Sequence, residues 1–214
     1  MIKYVFFDLD GTIIDSCEGL TNAVAYSLKK FNIPIKSRES LKSFIGPPLV
    51  DSYMQYCSFD RERALKVVET YREYYREIGI FEFKVYDGIK ELLQNLRQRG
   101  LKLFIATSKP EVFAKQILNK AGLEGEFKGI FGATLDSSRV HKTDVISYAL
   151  DSLSLNDTAE AIMVGDTCFD ILGAKSLGMS SVGVTYGYGD IDELNSSAPD
   201  YTVNSPLEIL EILL

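Results

Sequence analysis

The chain reads as an α/β protein: a doubly wound parallel sheet with an inserted α-helical cap. Short apolar runs without polar alternation recur along it, as expected of strands covered on both faces. Segments with apolar residues every three or four positions fill the gaps between them. About 90 residues separate the first such run from the second, whereas a crossover between parallel strands needs only a dozen or more, so a separate structural unit is inserted there.

Tyr4-Val5-Phe6-Phe7 is the first strand, and Leu101–Ala106, Ala161–Val164 and Ser181–Val184 are the others. Helical spacing is found over Ile89–Arg99, Val112–Ala121, Val145–Leu153 and Ile171–Leu177. Strands alternating with helices define the doubly wound class. Within the insertion, Leu20–Phe31, Leu49–Tyr56 and Ala64–Tyr75 carry helical periodicity and no strong strand signal is found. The expected division is a discontinuous catalytic core at 1–15 and 84–214, with a helical cap at 16–83.

Composition narrows the function. A net charge of -7 over 214 residues disfavours an electrostatic grip on nucleic acid. The partner is expected to be a small molecule. No apolar run approaches the ~18 residues of a membrane helix, and Asp8 interrupts the opening apolar stretch too early for a signal peptide. Cys17, Cys57 and Cys168 lack metal-ligand spacing and read as free thiols of a reducing, cytoplasmic setting.

In Asp8-Leu9-Asp10-Gly11-Thr12, two carboxylates two residues apart tend to share one side of an extended chain at the carboxyl end of a buried strand. Open α/β sheets bind ligands at that edge. Asp-Gly is also a turn signal, and a hairpin is the competing reading. Neighbouring carboxylates repel, so keeping them together calls for a cation or a shared proton. Both suit phosphoryl transfer, in which magnesium takes carboxylate and phosphate oxygens while one carboxylate attacks phosphorus and the other moves protons.

Three further sites complete a constellation. In Thr107-Ser108-Lys109-Pro110-Glu111, Ser108 and Glu111 have capping-box spacing, which leaves Thr107 at a strand end to hold a phosphate oxygen or simply to precede an ordinary helix start. Lys142 opens a helix, where its charge opposes the helix dipole. It is either a solvated surface lysine or a group that neutralises phosphate. His141, the one histidine, reads as an incidental loop residue. Asp166 and Asp170, just past a buried strand, are either N-capping residues or the other half of a cation site, Asp166 by direct ligation and Asp170 through water or by orienting a ligand. Tyr186-Gly187-Tyr188-Gly189 reads as a flexible loop without an assigned role.

In this order the four blocks resemble the haloacid dehalogenase superfamily of phosphohydrolases, over Asp8 to Asp170. Ile171-Leu172-Gly173-Ala174-Lys175 and Phe44-Ile45-Gly46-Pro47-Pro48-Leu49 look like its phosphoglycolate phosphatase branch. The resemblance implies a Rossmann-like core, Asp8 as nucleophile, Asp10 as general acid/base, and Thr107, Ser108 and Lys142 around the phosphate. It also implies magnesium held by Asp8, Asp166 and the backbone carbonyl of Asp10, with Asp170 nearby. An aspartate at position 10 favours phosphoester chemistry over dehalogenation. Relatives of the same pattern include 5'-nucleotidases, pyrophosphatases and sugar phosphate mutases. Many place proline after the motif lysine, whereas here Thr143 follows Lys142 and the Lys-Pro pair is Lys109-Pro110. A receiver-type signalling domain, with its acidic residues, Thr and Lys, is the reading from another class; the long insertion argues against it.

Overall fold

The computed structural model describes residues 1–136 and 138–213. In chain order, its elements are β1 (Tyr4–Phe7), β2 (Ile14–Asp15), α1 (Cys17–Lys30), α2 (Leu49–Cys57), α3 (Arg61–Glu77), β3 (Lys84–Val85) and α4 (Ile89–Gln98). They continue through β4 (Lys102–Pro110), α5 (Glu111–Ala121), β5 (Gly129–Ala133), α6 (Lys142–Ser152), β6 (Ala161–Gly165) and α7 (Cys168–Ser176). The chain ends with β7 (Ser180–Val184), α8 (Ile191–Ser196), β8 (Tyr201–Val203) and α9 (Glu208–Leu213). Two compact units result, Met1–Asp15 with Val85–Leu214, and Ser16–Lys84.

In the first unit six strands form one parallel sheet in the order β5-β4-β1-β6-β7-β8, and β2 lies outside it. The chain winds outward from β1 to β4 and β5, then crosses back to β6, β7 and β8. β1 is therefore the topological switch point, and the crevice beyond its carboxyl end is where such sheets bind ligands. Phe7 pairs with Ile105 on one side and Val164 on the other. Asp8 thus lies level with Ala106 and Gly165, one step from Thr107 and Asp166.

Both faces of the sheet are covered, which is why the strands are continuously apolar. Phe6, Phe104, Ala106 and Met163 pack with Val145, Ile146 and Ala149 of α6 and Ala174 of α7. Their alternates Val5, Phe7, Leu103, Ile105, Ile162 and Val164 are also buried. Phe104 is the aromatic hub of the first face, with ring centroids 5.0 Å from Phe6 and 6.3 Å from Phe131.

The second unit is α1 to α3 plus short 3-10 turns. It is held by Val24, Leu28, Tyr53, Val67 and Tyr71, all buried, and by a Ser27–Tyr53 hydroxyl pair at 2.6 Å. Asp60 caps α3 by accepting from the Arg63 amide at 2.8 Å. Among the described residues no helix is long and apolar enough to cross a membrane.

The expected capping box at Ser108 and Glu111 is not formed. β4 runs on to Pro110, which pairs with Ala133 after a register shift, and α5 begins at Glu111. The reason is local: the residue before a proline avoids helical dihedrals, which keeps Lys109 extended and rules out a helix starting at Ser108. The Asp-Gly hairpin is also absent, since β1 pairs with β4 and β6. β5 and β8 carry no long apolar run and were not among the expected strands. Replacing Phe104 with Ala is expected to cost this unit about 3–5 kcal/mol, seen as a lower urea midpoint; an unchanged midpoint would contradict its place as the hub.

Candidate active site

Four loops meet beyond the carboxyl ends of β1, β4, β5 and β6. After β1, Leu9 accepts backbone hydrogen bonds from Thr12, Ile13 and Ile14, so the chain turns tightly around residues 9–14. Gly11 takes φ +82° at the turn, and a Cβ there would collide with the Asp166 carboxylate. Glycine is needed on both counts. The Asp8 loop and the Asp166 loop are therefore in direct contact.

Carboxylate oxygens of Asp8, Asp166 and Asp170 lie within 4.8 Å of one another, and all three residues are buried. The Lys142 ammonium sits 2.8 Å from Asp8 Oδ1 and 2.7 Å from Asp170 Oδ1, and donates to the Ala106 carbonyl at 3.1 Å. Its three donors meet three oxygens, so a lysine only 5% exposed at the first position of α6 is satisfied. The helix dipole opposes it, and the two carboxylates outweigh that. His141 is the exposed N-cap residue of α6.

Asp170 works at both ends. Its Oδ2 accepts from the Thr167 amide at 3.1 Å and the Thr167 hydroxyl at 2.8 Å, closing a capping box on α7, while Oδ1 faces Lys142. Asp166 Oδ2 accepts from the amides of Tyr188 at 2.7 Å and Gly189 at 3.2 Å, and Oδ1 receives the Thr12 hydroxyl at 3.4 Å. Thr107 is buried, its Oγ1 accepts from the Lys109 amide at 3.2 Å, and its hydroxyl favours the Asp8 anion.

Asp10 points elsewhere. Its Oδ2 is 2.6 Å from Lys109 Nζ, and its side chain is 19% exposed. The acidic cluster gathers Asp8, Asp166 and Asp170, with the Asp10 carboxylate outside it. Ser108 is exposed, whereas Thr107 and Lys109 on either side are buried. Sequence reasoning left Lys109 in a capping box and passed over the loop at 186–189. Strand alternation carried through Thr107, Ser108 and Lys109 would have placed Lys109 on the Thr107 side. The loop's signal was its position just past a buried strand, at the same edge of the sheet as the acidic groups.

Electrostatics follow from burying three carboxylates around one lysine. Burial pushes Asp8 up to about 6, against the pull of Lys142 and with a further push from Asp170. Asp166 is pushed from its ordinary 3.8 up to about 8, by burial first and then by the charges of Asp170 and Asp8, although two amides stabilise its anion. Lys142 is held above its usual range because its two carboxylate partners overcome the cost of burial. Oxygen donors that crowd until one takes up a proton form a set that fits a hard divalent cation, which removes the repulsion without protonation.

A buried acidic cluster and a satisfied lysine at the switch point of a doubly wound sheet define a class: enzymes with a Rossmann-like core whose site suits phosphoryl groups. The chain belongs to the haloacid dehalogenase-like hydrolase family, whose model matches residues 5–184. It is 43% identical over 197 residues to a protein named 5'-nucleotidase from Pseudomonas aeruginosa, covering 92% of this chain and 89% of that one. It is 29% identical over 220 residues to a phosphoglycolate phosphatase from Vibrio parahaemolyticus, covering 99% and 96%. A crystal structure described as a predicted phosphatase from Clostridium acetobutylicum superposes with TM-score 0.95 at 46% identity, covering 100% of this chain and 98% of that one. The protein is a phosphatase of this family.

A carboxylate with a raised folded-state pKa favours folding while protonated, and that contribution is lost as pH climbs toward the folded value. For Asp166 the window runs from about 3.8 to about 8. The melting temperature of metal-free protein is therefore expected to fall from about pH 4 to about pH 8, and Asp166→Asn is expected to reduce that fall. Parallel melting curves for the two proteins would refute the assignment.

Proposed function

We propose that the protein is a magnesium-dependent phosphatase that releases phosphate from a small phosphorylated metabolite through a covalent phosphoaspartate on Asp8. The observation that carries this reading is the unequal setting of two carboxylates two residues apart. Asp8 is buried against Lys142 and the acidic cluster, while Asp10 stands outside it, paired with Lys109. Groups held in contrasting surroundings suit contrasting roles.

Asp8 attacks phosphorus, and the ester P–O bond breaks as Asp10 hands a proton to the departing alcohol oxygen. A water then attacks the phosphoaspartate, Asp10 takes its proton, and inorganic phosphate leaves. The Thr107 hydroxyl holds a phosphoryl oxygen, while the charge of Lys142 neutralises the phosphate and keeps Asp8 ionised for attack. Ser108, with its side chain exposed, would serve through its backbone amide. Asp8, Asp166 and the Asp10 carbonyl would hold the magnesium, with Asp170 acting through water or by orienting a ligand. When bound, the ion supplies charge neutralisation for the transferring group.

The helical unit at 16–84 is proposed to act as a cap that supplies substrate contacts. Two substrate classes come from the relatives' names, and the higher identity is to the 5'-nucleotidase rather than the phosphoglycolate phosphatase. Nucleoside monophosphates therefore join phosphoglycolate as leading candidates. None of the three cysteines forms a disulfide, which agrees with a cytoplasmic setting.

Incubation with phosphoglycolate, nucleoside monophosphates, sugar phosphates and pyrophosphate should give inorganic phosphate from at least one of them, in equal amount to a monoester consumed or in twice the amount of pyrophosphate consumed. An isomerised product without phosphate release would instead make the chain a mutase. Asp8→Asn should abolish turnover and the hydroxylamine-sensitive phosphoenzyme, and chelation by EDTA should stop turnover reversibly. Asp10→Asn should lower kcat about 100- to 10,000-fold. Near-normal kcat in either variant would overturn the assigned role.

A further inference from the structure

The segment Tyr186–Gly189 follows β7 and makes four hydrogen bonds and one ring contact within the first unit. Its Tyr188 and Gly189 amides both donate to Asp166 Oδ2. The Tyr186 hydroxyl donates to the Thr12 carbonyl at 3.0 Å. The Tyr188 hydroxyl donates to Asp15 Oδ1, at the point where the chain leaves this unit. The Tyr186 ring meets Tyr86 edge-on at 5.0 Å, and the Tyr86 amide is bonded to the Ile13 carbonyl. The loop thus touches Asp166 at one end and both sides of the 9–15 segment at the other.

Close approach makes two of its residues specific. A Cβ on Gly187 would collide with the Asp166 side chain and the Gly11 carbonyl, and one on Gly189 would collide with the Asp166 carbonyl. Only glycine lets the backbone lie directly against Asp166. Burial holds both tyrosine hydroxyls above the ordinary range, Tyr188 with the help of Asp15, so each remains a donor across the physiological range.

We propose that Tyr186–Gly189 is a positioning element for Asp166: its two amides orient the carboxylate toward a divalent cation, and its two hydroxyls fix those amides to the segment that carries Asp8 and Asp10. The proposal rests on the reading of Asp166 as a cation ligand. A carboxylate bonded on one oxygen by two rigid amides cannot swing away from the cluster, which is how outer hydrogen bonds commonly tune a metal site. Tyr186 and Tyr188 touch no reacting atom in this scheme. They act on the cation through Asp166, and Gly187 and Gly189 permit the approach.

Titration of metal-free protein with MgCl2 by calorimetry, together with the Mg2+-induced rise in melting temperature, tests the proposal. Tyr188→Phe and Tyr186→Phe are each expected to weaken Mg2+ binding by roughly tenfold or more, with circular dichroism and metal-free melting temperature close to wild type. Unchanged Mg2+ affinity in both variants overturns the proposal, as does a lower metal-free melting temperature with affinity intact, which assigns the hydroxyls to stability alone. Should one variant lose its fold, the other carries the comparison. Asp166→Asn separates the two levels: loss of binding there with unaltered affinity in the tyrosine variants leaves the ligand assignment standing and sinks the loop's role, whereas wild-type binding by Asp166→Asn overturns both.

Discussion

The confinement of three carboxylates around one ammonium group governs the rest of this molecule. Asp8, Asp166 and Asp170 are buried within reach of one another, and Lys142 supplies a single compensating charge. Charges removed from water interact more strongly than at a surface, so two uncompensated negative charges in such a space are costly unless a proton or cation joins them. The raised pKa of Asp166 expresses that cost. A stable fold retains such a cluster only where rigid backbone holds it, and here three adjacent strands do so through a register that sets Asp8 beside Ala106 and Gly165.

Every residue of the cluster is also tied into ordinary structural hydrogen bonding. Asp170 caps α7 with one oxygen while turning the other to Lys142. Lys142 spends one donor on the Ala106 carbonyl at the end of β4, joining α6 to the sheet. Asp166 is gripped by loop amides and by Thr12. Because the same atoms terminate helices and organise charge, the site cannot relax independently of the fold. Such preorganisation keeps the charged groups in place without solvent rearrangement during reaction.

Much of this was legible in the sequence, for reasons that differ by residue. β1 and β6 are unbroken apolar runs, so their ends, and with them Asp8 and Asp166, could be located from hydrophobicity. Lys142 was visible because it violates the helix-dipole rule. The insertion showed itself as a spacing too long for any crossover. β5 was less legible: Gly129-Ile130-Phe131-Gly132-Ala133 has two glycines and only partial burial at its start, so tertiary pairing with β4 makes it a strand. Ser108 misled because capping-box spacing is a local pattern, and the sheet carried β4 past it. The loop at 186–189 looked flexible because glycines commonly are, yet here they serve close packing, which depends on a partner 20 residues away in sequence.

The two lysines near the strand ends show how neighbouring carboxylates acquire separate tasks. Asp8 and Asp10 leave the same strand two residues apart, so local geometry alone would give them nearly equivalent surroundings. Lys142, arriving from α6, meets Asp8 within the buried cluster, while Lys109, at the extended end of β4, meets Asp10 at its more exposed border. If a single lysine served both carboxylates, each would share its charge and neither would be held apart from the other. With two, Asp8 is fixed inside the buried cluster and Asp10 is kept at its margin, the separation on which the proposed roles of nucleophile and proton carrier rest. The division of labour proposed for the pair thus depends on Pro110, which keeps Lys109 in the strand and its side chain on the Asp10 side.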